Sequence, residues 1–248
     1  MSVESERDIL GLRAAGRVVS LALRAMRGAV REGVTTRELD EVGAAVFRAH
    51  GARSAPQLAY GFPGTNCISV NDEAVHGVPS ARELRRGDVV KLDVTAELDG
   101  YMADAAVSVA VGPASPPTEK LIGTAERALA RALAVIAPGV RLNEIGRAVE
   151  DEVHRAGFEV LTALCGHGIG RTIHEPPSVR NHYVASDATT LTEGLVITVE
   201  PIIAATTSAV RELGDGWTVS TADGSLSAHA EHTVIVRNGP PLIVTAAV

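Results

Sequence analysis

The stretch Val89-Val90-Lys91-Leu92-Asp93-Val94-Thr95 decides the fold, because it runs through Asp99-Gly100 into a second apolar stretch at residues 101–111. Apolar and polar residues alternate in it as in a β-strand, and Asp-Gly signals a tight hairpin turn. With the hairpin centred between positions 98 and 99, Asp93 and Asp104 are direct cross-strand partners. Their side chains would lie about 5 Å apart, where like charges destabilise a sheet. The hairpin therefore predicts a site for a hard divalent cation between two carboxylates.

The composition is that of an ordinary globular protein of 248 residues. No apolar run reaches the roughly 18 to 20 residues of a membrane helix, and the polar, acidic start is unlike a signal or transit peptide. A net charge of −7 with scattered arginines argues against nucleic acid as the main partner, because phosphate binding needs clustered basic residues. Cys67 and Cys165 are too few for a disulfide framework. We expect a cytoplasmic protein with no membrane and no nucleic-acid partner.

Four segments are predicted to be helices from their apolar spacing and from the residues that begin and end them. They cover residues 5–31, 35–50, 117–136 and 142–156. Either Thr35 or Thr36 is expected to cap the second helix, with Glu38 or Asp40 nearby.

An internal repeat becomes visible when the chain is slid along itself by 106 or 107 residues. Gly51 then lies on Gly157, and Asp93 lies on Glu200. Each half would contain two helices followed by a β-hairpin whose first strand carries a carboxylate. The agreement of glycine, leucine and carboxylate positions favours a duplication over a chance match of apolar runs. We therefore expect one domain, residues 1–248, with halves of about 1–114 and 115–248 that bring Asp93 and Glu200 to a shared centre.

Three further candidate ligands lie in the second half. Glu200 is near the end of a predicted strand at 196–201, and Glu231 lies in another at 230–236. Because side chains alternate between the faces of a strand, Glu231 and His232 should not serve one centre. Glu231 is preferred because it completes a set of carboxylates. His167 is flanked by glycines, which let the backbone come close to a ligand.

The candidate metal ligands are four carboxylates and one imidazole: Asp93, Asp104, His167, Glu200 and Glu231. Structural zinc sites favour Cys and His, and magnesium usually takes one or two carboxylates. This set fits two divalent ions about 3.5 to 4 Å apart, with bridging carboxylates. Co, Mn, Fe and Zn all suit these ligands. Such a pair activates a water and polarises a carbonyl, which fits amide or ester hydrolysis. Phosphoryl hydrolysis fits less well, since basic residues are not clustered.

The motifs around these residues resemble those of type I methionine aminopeptidases over almost the full chain. They are Val75-His76-Gly77-Val78-Pro79, Lys91-Leu92-Asp93-Val94, Gly166-His167-Gly168-Ile169-Gly170, Ile173-His174-Glu175-Pro176-Pro177, Thr198-Val199-Glu200-Pro201 and Ser227-Ala228-His229-Ala230-Glu231-His232-Thr233. The resemblance implies the α/β (α+β) pita-bread fold. In that fold two pseudo-symmetric halves form a curved antiparallel sheet, with helices outside and a dinuclear metal centre inside.

The resemblance also implies a role for each matching metal ligand. Asp93 and Asp104 hold one ion, with Asp104 bridging, and His167 and Glu200 hold the second ion. Glu231 bridges both ions, and Glu200 is also the general base toward the attacking water.

Substrate contacts are implied in the same way. His76 and His174 match two histidines that contact the substrate beside the metals, so that Glu200, His174 and His76 form the catalytic set. Phe62, His76 and Trp217 are expected to wall the pocket for the methionine side chain. For Trp217 a second interpretation stays open, that of a residue that packs a loop.

The chain departs from the family pattern around two of these sites. Asp104 has Ala103 before it and Ala105 after it, where glycine and a small polar residue are usual. Ala59 and Phe62 replace a larger side chain and a tyrosine, which predicts a roomier or less polar pocket. With no zinc-binding or Pro-rich extension ahead of the catalytic region, the chain resembles the minimal bacterial form.

The implied activity is removal of the N-terminal methionine from peptides and nascent chains with a small second residue, at the ribosome, by a monomer. Two alternatives stay open. One is another hydrolase of the same fold, such as a proline-specific aminopeptidase, which usually carries a separate N-terminal domain. The other is a non-catalytic peptide-binding pseudoenzyme, a class that typically loses metal ligands.

Overall fold

Five helices lie among the described residues of the computed structural model, which covers residues 1–246. They are α1 (Glu6–Ala29), α2 (Thr36–His50), α3 (Ala55–Tyr60), α4 (Pro116–Ala134) and α5 (Asn143–Ala156). Four of them match the predicted helices to within two residues at each end. The short α3 is outside the predicted set, because six residues are too few to show a helical period. Within residues 1–246, no helix combines the length and the apolar character that crossing a membrane requires.

The start of α2 shows which threonine caps it. The Thr35 side chain accepts a hydrogen bond from the Glu38 backbone N–H, and the Glu38 carboxylate accepts from the Thr35 backbone N–H at 2.7 Å. This reciprocal capping box satisfies two N–H groups that would otherwise lack partners. Asp40 points elsewhere: its carboxylate accepts from the backbone N–H groups of Thr65 and Asn66. It therefore ties α2 to the strand that enters the cavity described below.

Fifteen strands, of which β4 and β5 are the longest with ten residues each, connect these helices within the described residues. They are β1 (Arg53–Ser54), β2 (Cys67–Val70), β3 (Glu73–Val75), β4 (Val89–Leu98), β5 (Tyr101–Ala110), β6 (Glu159–Val160), β7 (Cys165–Gly168), β8 (Glu175–Arg180), β9 (Val196–Val199), β10 (Ile202–Ala204), β11 (Val210–Glu212), β12 (Val219–Thr221), β13 (Ser227–His229), β14 (His232–Ile235) and β15 (Leu242–Ile243).

Among residues 1–246, the strands pair in antiparallel fashion throughout and form four sheets. In the first sheet β4 pairs with β5, β1 and β2, and the largest sheet has the order β15-β14-β9-β7-β8. Two three-stranded sheets, β13-β10-β6 and β11-β12-β3, complete the set. The predicted mixture of helices with antiparallel sheets is confirmed.

The register of the first hairpin differs from the prediction. Leu98 pairs with Tyr101, so the turn consists of Asp99 and Gly100, with positive φ of 50° and 81°. Two consecutive positive φ values are typical of a type I′ turn, whose twist matches that of the strands. Asp93 therefore pairs with position 106 and Asp104 with position 95. The two aspartates are diagonal neighbours on one face of the sheet rather than direct partners.

The second half also lacks the simple hairpin that the repeat suggested. β9 pairs with β14 and β7, whereas β10, the next strand, pairs with β13 and β6. Pro201 follows Glu200 at the point where β9 ends, and proline has no N–H to continue a ladder. Glu200 and Glu231 each lie one residue beyond the β9–β14 ladder, where His232 pairs with Val199.

Helices cover the outside of the sheets and close two main apolar cores. α1 packs on β4 and β5 through buried residues such as Leu12, Val19 and Met26. α4 and α5 pack on each other, burying Leu121 and Ile145 in the second core. Truncating one such leucine to alanine typically costs about 2 to 5 kcal/mol.

Between the two cores, β5 contacts the second half through hydrogen bonds rather than a regular ladder. The Thr233 hydroxyl accepts from the Asp104 backbone N–H at 2.9 Å and donates to the Asp104 carbonyl at 2.8 Å. The Glu231 backbone N–H donates to the Ala106 carbonyl at 2.9 Å. These contacts fix the position of β5 against the segment that carries Glu231.

Candidate metal centre

One cavity of about 630 Å³ lies where β4 and β5 meet the second half. Its volume is within the range of small-molecule and cofactor pockets. Its lining includes nine of the residues predicted from the sequence to be metal ligands, catalytic groups or substrate contacts: Asp93, Asp104, His167, Glu200, Glu231, His76, His174, Phe62 and Trp217. Residues separated by up to 169 positions in the chain therefore converge on one space.

The carboxylates are close to one another and to one imidazole. Ligand atoms of Asp104, His167 and Glu231 all lie within 4.8 Å of one another. The Nε2 atom of His167 lies 3.6 Å from Oε1 of Glu200. Oδ1 of Asp104 is buried and has no hydrogen-bond partner among residues 1–246. These are the spacings and the unpaired acceptor that a bound cation would satisfy.

Burial raises the pKa of all four carboxyl groups. It raises the pKa of Asp104 to about 6 and that of Glu200 to about 8. For Asp93 and Glu231, burial raises the pKa well above the ordinary value, and the neighbouring carboxylates raise it further. A cluster that resists ionisation in this way becomes fully ionised when divalent cations neutralise it. The residues present therefore fit the binding of divalent metal.

His167 is oriented for metal binding by its own backbone segment. Its Nδ1 atom lies 2.9 Å from the carbonyl oxygen of Gly168, so that Nδ1–H donates and the lone pair remains on Nε2. Burial lowers the pKa of His167 to about 4, which keeps the ring neutral. The Thr198 hydroxyl accepts from the His167 backbone N–H at 3.0 Å and donates to Oε1 of Glu200 at 2.7 Å. One threonine thus positions two candidate ligands.

The unusual neighbours of Asp104 are both buried alanines. Ala103 and Ala105 are fully buried, and neither side chain can bond to the carboxylate. The Asp104 backbone is instead held by Thr233 of the other half, as described above. The backbone that carries this ligand is therefore held by a residue of the second half, whereas its carboxyl group accepts hydrogen bonds from Thr95 and from the Ala105 backbone N–H within the first half.

His174 has a partner that sequence reasoning missed. The Tyr60 hydroxyl lies 2.5 Å from Nδ1 of His174, and the His174 ring packs edge-on against His167 with centroids 4.2 Å apart. Burial lowers the pKa of His174, so the ring is neutral. If Nδ1 accepts from the phenol, the ring proton is on Nε2, which makes His174 a hydrogen-bond donor in the cavity. Tyr60 is 114 positions away in the chain, and no local pattern indicates this contact.

His76 adopts a backbone conformation that is rare for its residue type. Its φ is 57°, in the left-handed region, which costs on the order of 1 kcal/mol or more for a residue other than glycine. The Gly77 backbone N–H donates to the Ser69 hydroxyl at 3.0 Å, which holds the segment. Such strain is concentrated at functional sites, in agreement with the position of His76 on the cavity wall.

An aromatic pair forms part of the cavity wall. Phe62 is buried and packs edge-on against Trp217, with ring centroids 5.2 Å apart. Trp217 thus lines the cavity and also packs its own loop. The Trp217 backbone N–H donates to the Asp215 carboxylate, which holds that loop in place. Ala59 is exposed and does not line the cavity, so its expected part in the pocket is wrong. The reason is that Ala59 lies in α3, where the lining residues are Pro56 and Tyr60.

A further histidine lies beside the carboxylates and was not nominated from the sequence. His229 is 1% exposed, and its Nε2 atom lies 3.7 Å from Oε2 of Glu231 and 3.9 Å from Oε2 of Glu200. Burial lowers the pKa of His229 to about 3, so the ring is neutral. The sequence signal for this residue is its position two residues before Glu231 in an extended segment, which places both side chains on the same face.

Comparisons with known proteins agree with this geometry. Methionine aminopeptidase 2 of Bacillus subtilis is 41% identical over 247 residues, which are 99% of each chain. The crystal structure of methionine aminopeptidase from Rickettsia prowazekii superposes with a TM-score of 0.95 at 35% identity, covering 99% of this chain and 100% of that one. A prolidase from Pyrococcus furiosus shares only the fold, at a TM-score of 0.80 and 22% identity, and the chain covers 65% of it.

These structural neighbours have the pita-bread fold, which confirms the predicted fold class. The model of metallopeptidase family M24 matches residues 11–238. Together with identity of 41% over almost the whole length of a relative, this match shows that the chain belongs to metallopeptidase family M24.

Proposed function

We propose that the protein is a metal-dependent aminopeptidase that removes the N-terminal methionine from peptides and nascent chains. The observation that carries the proposal is the convergence of four carboxylates and His167 in a cavity that also has the Phe62–Trp217 wall. The candidate metal ligands and an aromatic wall therefore line one cavity. The full-length similarity to methionine aminopeptidases supports the same activity.

The metal ligands would come from both halves of the chain. Asp93 and Asp104 would hold one ion, His167 and Glu200 the other, and Asp104 and Glu231 would bridge. Two bound ions would supply a water that is nucleophilic near neutral pH and a Lewis acid for the scissile carbonyl. The donor set suits Co, Mn, Fe and Zn alike. Because neither half holds all the ligands, we propose one catalytic domain with related halves of about 1–114 and 115–248.

The remaining side chains would act on the substrate. Glu200 would accept the proton of the attacking water, since its carboxylate is the one that Thr198 orients. His174, with its proton on Nε2, would donate to the oxygen of the scissile carbonyl as negative charge develops there. His76, which lines the same cavity, would also contact the substrate. Phe62 and Trp217 would receive the methionine side chain.

Specificity for the second residue belongs to the same proposal. We propose cleavage before Ala, Gly, Ser, Thr, Cys, Pro and Val, and little cleavage before Leu, Lys, Glu or Phe. The physiological substrates would be nascent chains at the ribosome, and the enzyme would act as a cytoplasmic monomer.

A panel of Met-Xaa peptides, assayed with Co, Mn, Fe and Zn in turn, tests this proposal. We expect turnover that requires metal, is lost in a chelator and is limited to small second residues. Preferential release of residues other than methionine ahead of proline would favour the proline-specific alternative. Metal binding without hydrolysis of any peptide would favour the non-catalytic alternative, although all five candidate ligands are present.

A further inference from the structure

The ring of His229 is a buried polar group without a partner. Neither Nδ1 nor Nε2 forms a hydrogen bond with any residue between 1 and 246. Leaving such a group unpaired costs about 1 to 3 kcal/mol. A leucine of similar volume would avoid this cost, so the position of the ring calls for a functional explanation.

The backbone of His229 is fixed by both halves of the chain. His229 pairs with Ile202 in the β10–β13 ladder. Its N–H donates to the Ser108 hydroxyl at 2.8 Å, and the same hydroxyl donates to its carbonyl oxygen at 2.8 Å. The ring therefore cannot easily withdraw from the carboxylates. A neutral imidazole in this position has one N–H group to donate.

We propose that His229 is a positioning residue of the metal centre, whose Nε2–H donates to the carboxylate of Glu231 and is shared with Glu200. The inference rests on the metal centre proposed above. Two carboxylate oxygens face this N–H: Oε2 of Glu231 lies 3.7 Å from Nε2, and Oε2 of Glu200 lies 3.9 Å from it. A side-chain movement of roughly 0.7 Å would bring Oε2 of Glu231 to hydrogen-bond distance from Nε2 of His229.

The two oxygens of Glu200 have different surroundings, which supports this assignment. Oε1 accepts from the Thr198 hydroxyl at 2.7 Å, whereas Oε2 faces His229. An ionised carboxylate offers about four acceptor positions, so a metal ligand can also accept a hydrogen bond. Partners of this kind orient metal ligands, and their loss typically costs about 10- to 100-fold in metal affinity or activity.

Calorimetric titration of the chelator-treated full-length protein with Mn²⁺ tests the inference. We expect His229→Leu to weaken binding of at least one ion by about 10- to 100-fold. His229→Gln keeps an N–H donor at nearly the same place, and we expect it to restore affinity to within about threefold. His232→Leu is the matched control, because that ring is bonded to Thr245 rather than to a carboxylate.

Thermal unfolding in chelator separates this role from a purely structural one. His229→Leu removes two unpaired polar atoms, so without metal it should unfold at or above the wild-type temperature. A merely structural histidine would lower that temperature with and without metal. Unchanged Mn²⁺ affinity in His229→Leu overturns the inference, whereas a wild-type protein that binds no Mn²⁺ overturns the metal centre itself.

A measurement on the unsubstituted protein covers the case in which His229→Leu fails to fold. In ¹⁵N-histidine NMR spectra of the zinc-loaded protein, with His229→Gln used for assignment, we expect the His229 proton on Nε2. A proton on Nδ1 would overturn the proposal, because Nε2 is the atom that faces the carboxylates.

Discussion

Replacing Tyr60 by phenylalanine removes one hydroxyl group and leaves the ring in place. That hydroxyl lies 2.5 Å from Nδ1 of His174. Without it, Nδ1 has no phenol to accept from, and the neutral ring is free to carry its proton on either nitrogen. We therefore expect a smaller fraction of His174 to present Nε2–H to the substrate. The change should lower kcat with little effect on KM or on metal content.

The size of this effect follows from the exposure of the bond. A typical hydrogen bond contributes about 0.5 to 1.5 kcal/mol. Tyr60 is 51% exposed, so water competes for the hydroxyl and the lower part of that range applies, about 0.5 to 1 kcal/mol. With about 1.4 kcal/mol per factor of ten, kcat should fall roughly two- to fivefold.

Steady-state hydrolysis of a Met-Ala peptide by four proteins checks the argument: the wild type, Tyr60→Phe, His174→Ala and the double variant. His174→Ala alone should lose about 10²- to 10³-fold in kcat, as when one oxyanion donor is removed. If Tyr60 acts through His174, Tyr60→Phe should have no further effect in the His174→Ala background. A full two- to fivefold loss in that background would refute the reasoning, as would a Tyr60→Phe enzyme with wild-type kcat.

Four further outcomes are expected. Asp104→Asn and Glu231→Gln should each abolish turnover and lower metal content in elemental analysis, and full occupancy with normal activity would contradict their bridging role. At matched metal occupancy, Glu200→Gln should strongly reduce the single-turnover rate, and an unchanged rate would exclude it as the base. Phe62→Ala should raise KM for methionyl peptides, by an amount worth about 1 to 3 kcal/mol, whereas an unchanged KM would place Phe62 outside the pocket. In chelator, the melting temperature of Glu200→Gln should rise relative to that of the wild type as the pH increases from about 5 to 8. Burial raises the folded-state pKa of Glu200 from its ordinary value of 4.5 to about 8, so the wild type loses the stability that this group contributes through that window, whereas the glutamine variant has no such titrating group. A difference in melting temperature that shrinks with increasing pH would contradict this sign.

The first hairpin shows why a sequence can place residues on the correct face with the wrong register. The Asp99-Gly100 signal located the turn, but the centre lies one position later than predicted. Moving the centre by one position shifts the pairing by two residues, and the side-chain period of a strand is also two. Asp93 and Asp104 therefore still share a face, and both line the cavity.

The contacts that the sequence did not indicate all depend on tertiary packing. Tyr60 and His174 meet only because α3 lies beside the loop before β8. Ala59 could not be distinguished from its neighbours in α3 without knowing which side of that short helix faces the cavity. The sequence shows that His229 and Glu231 lie on the same face of an extended segment. It does not show that Ser108 and Ile202 bond to the His229 backbone and leave the ring without a partner.

The seam along β5 explains how the site depends on both halves at once. Three hydrogen bonds follow one another along β5. The Asp104 backbone N–H donates to the Thr233 hydroxyl, the Ala106 carbonyl accepts from the Glu231 backbone N–H, and the Ser108 hydroxyl accepts from the His229 backbone N–H. Every second residue of β5 thus bonds to every second residue of the segment 229–233, which fixes the register of that segment along β5. A slip of this contact by two residues would move Glu231 by about 7 Å relative to Asp104, too far for one ion to bind both. The side chains of the site can therefore converge only while β5 keeps this register against the second half.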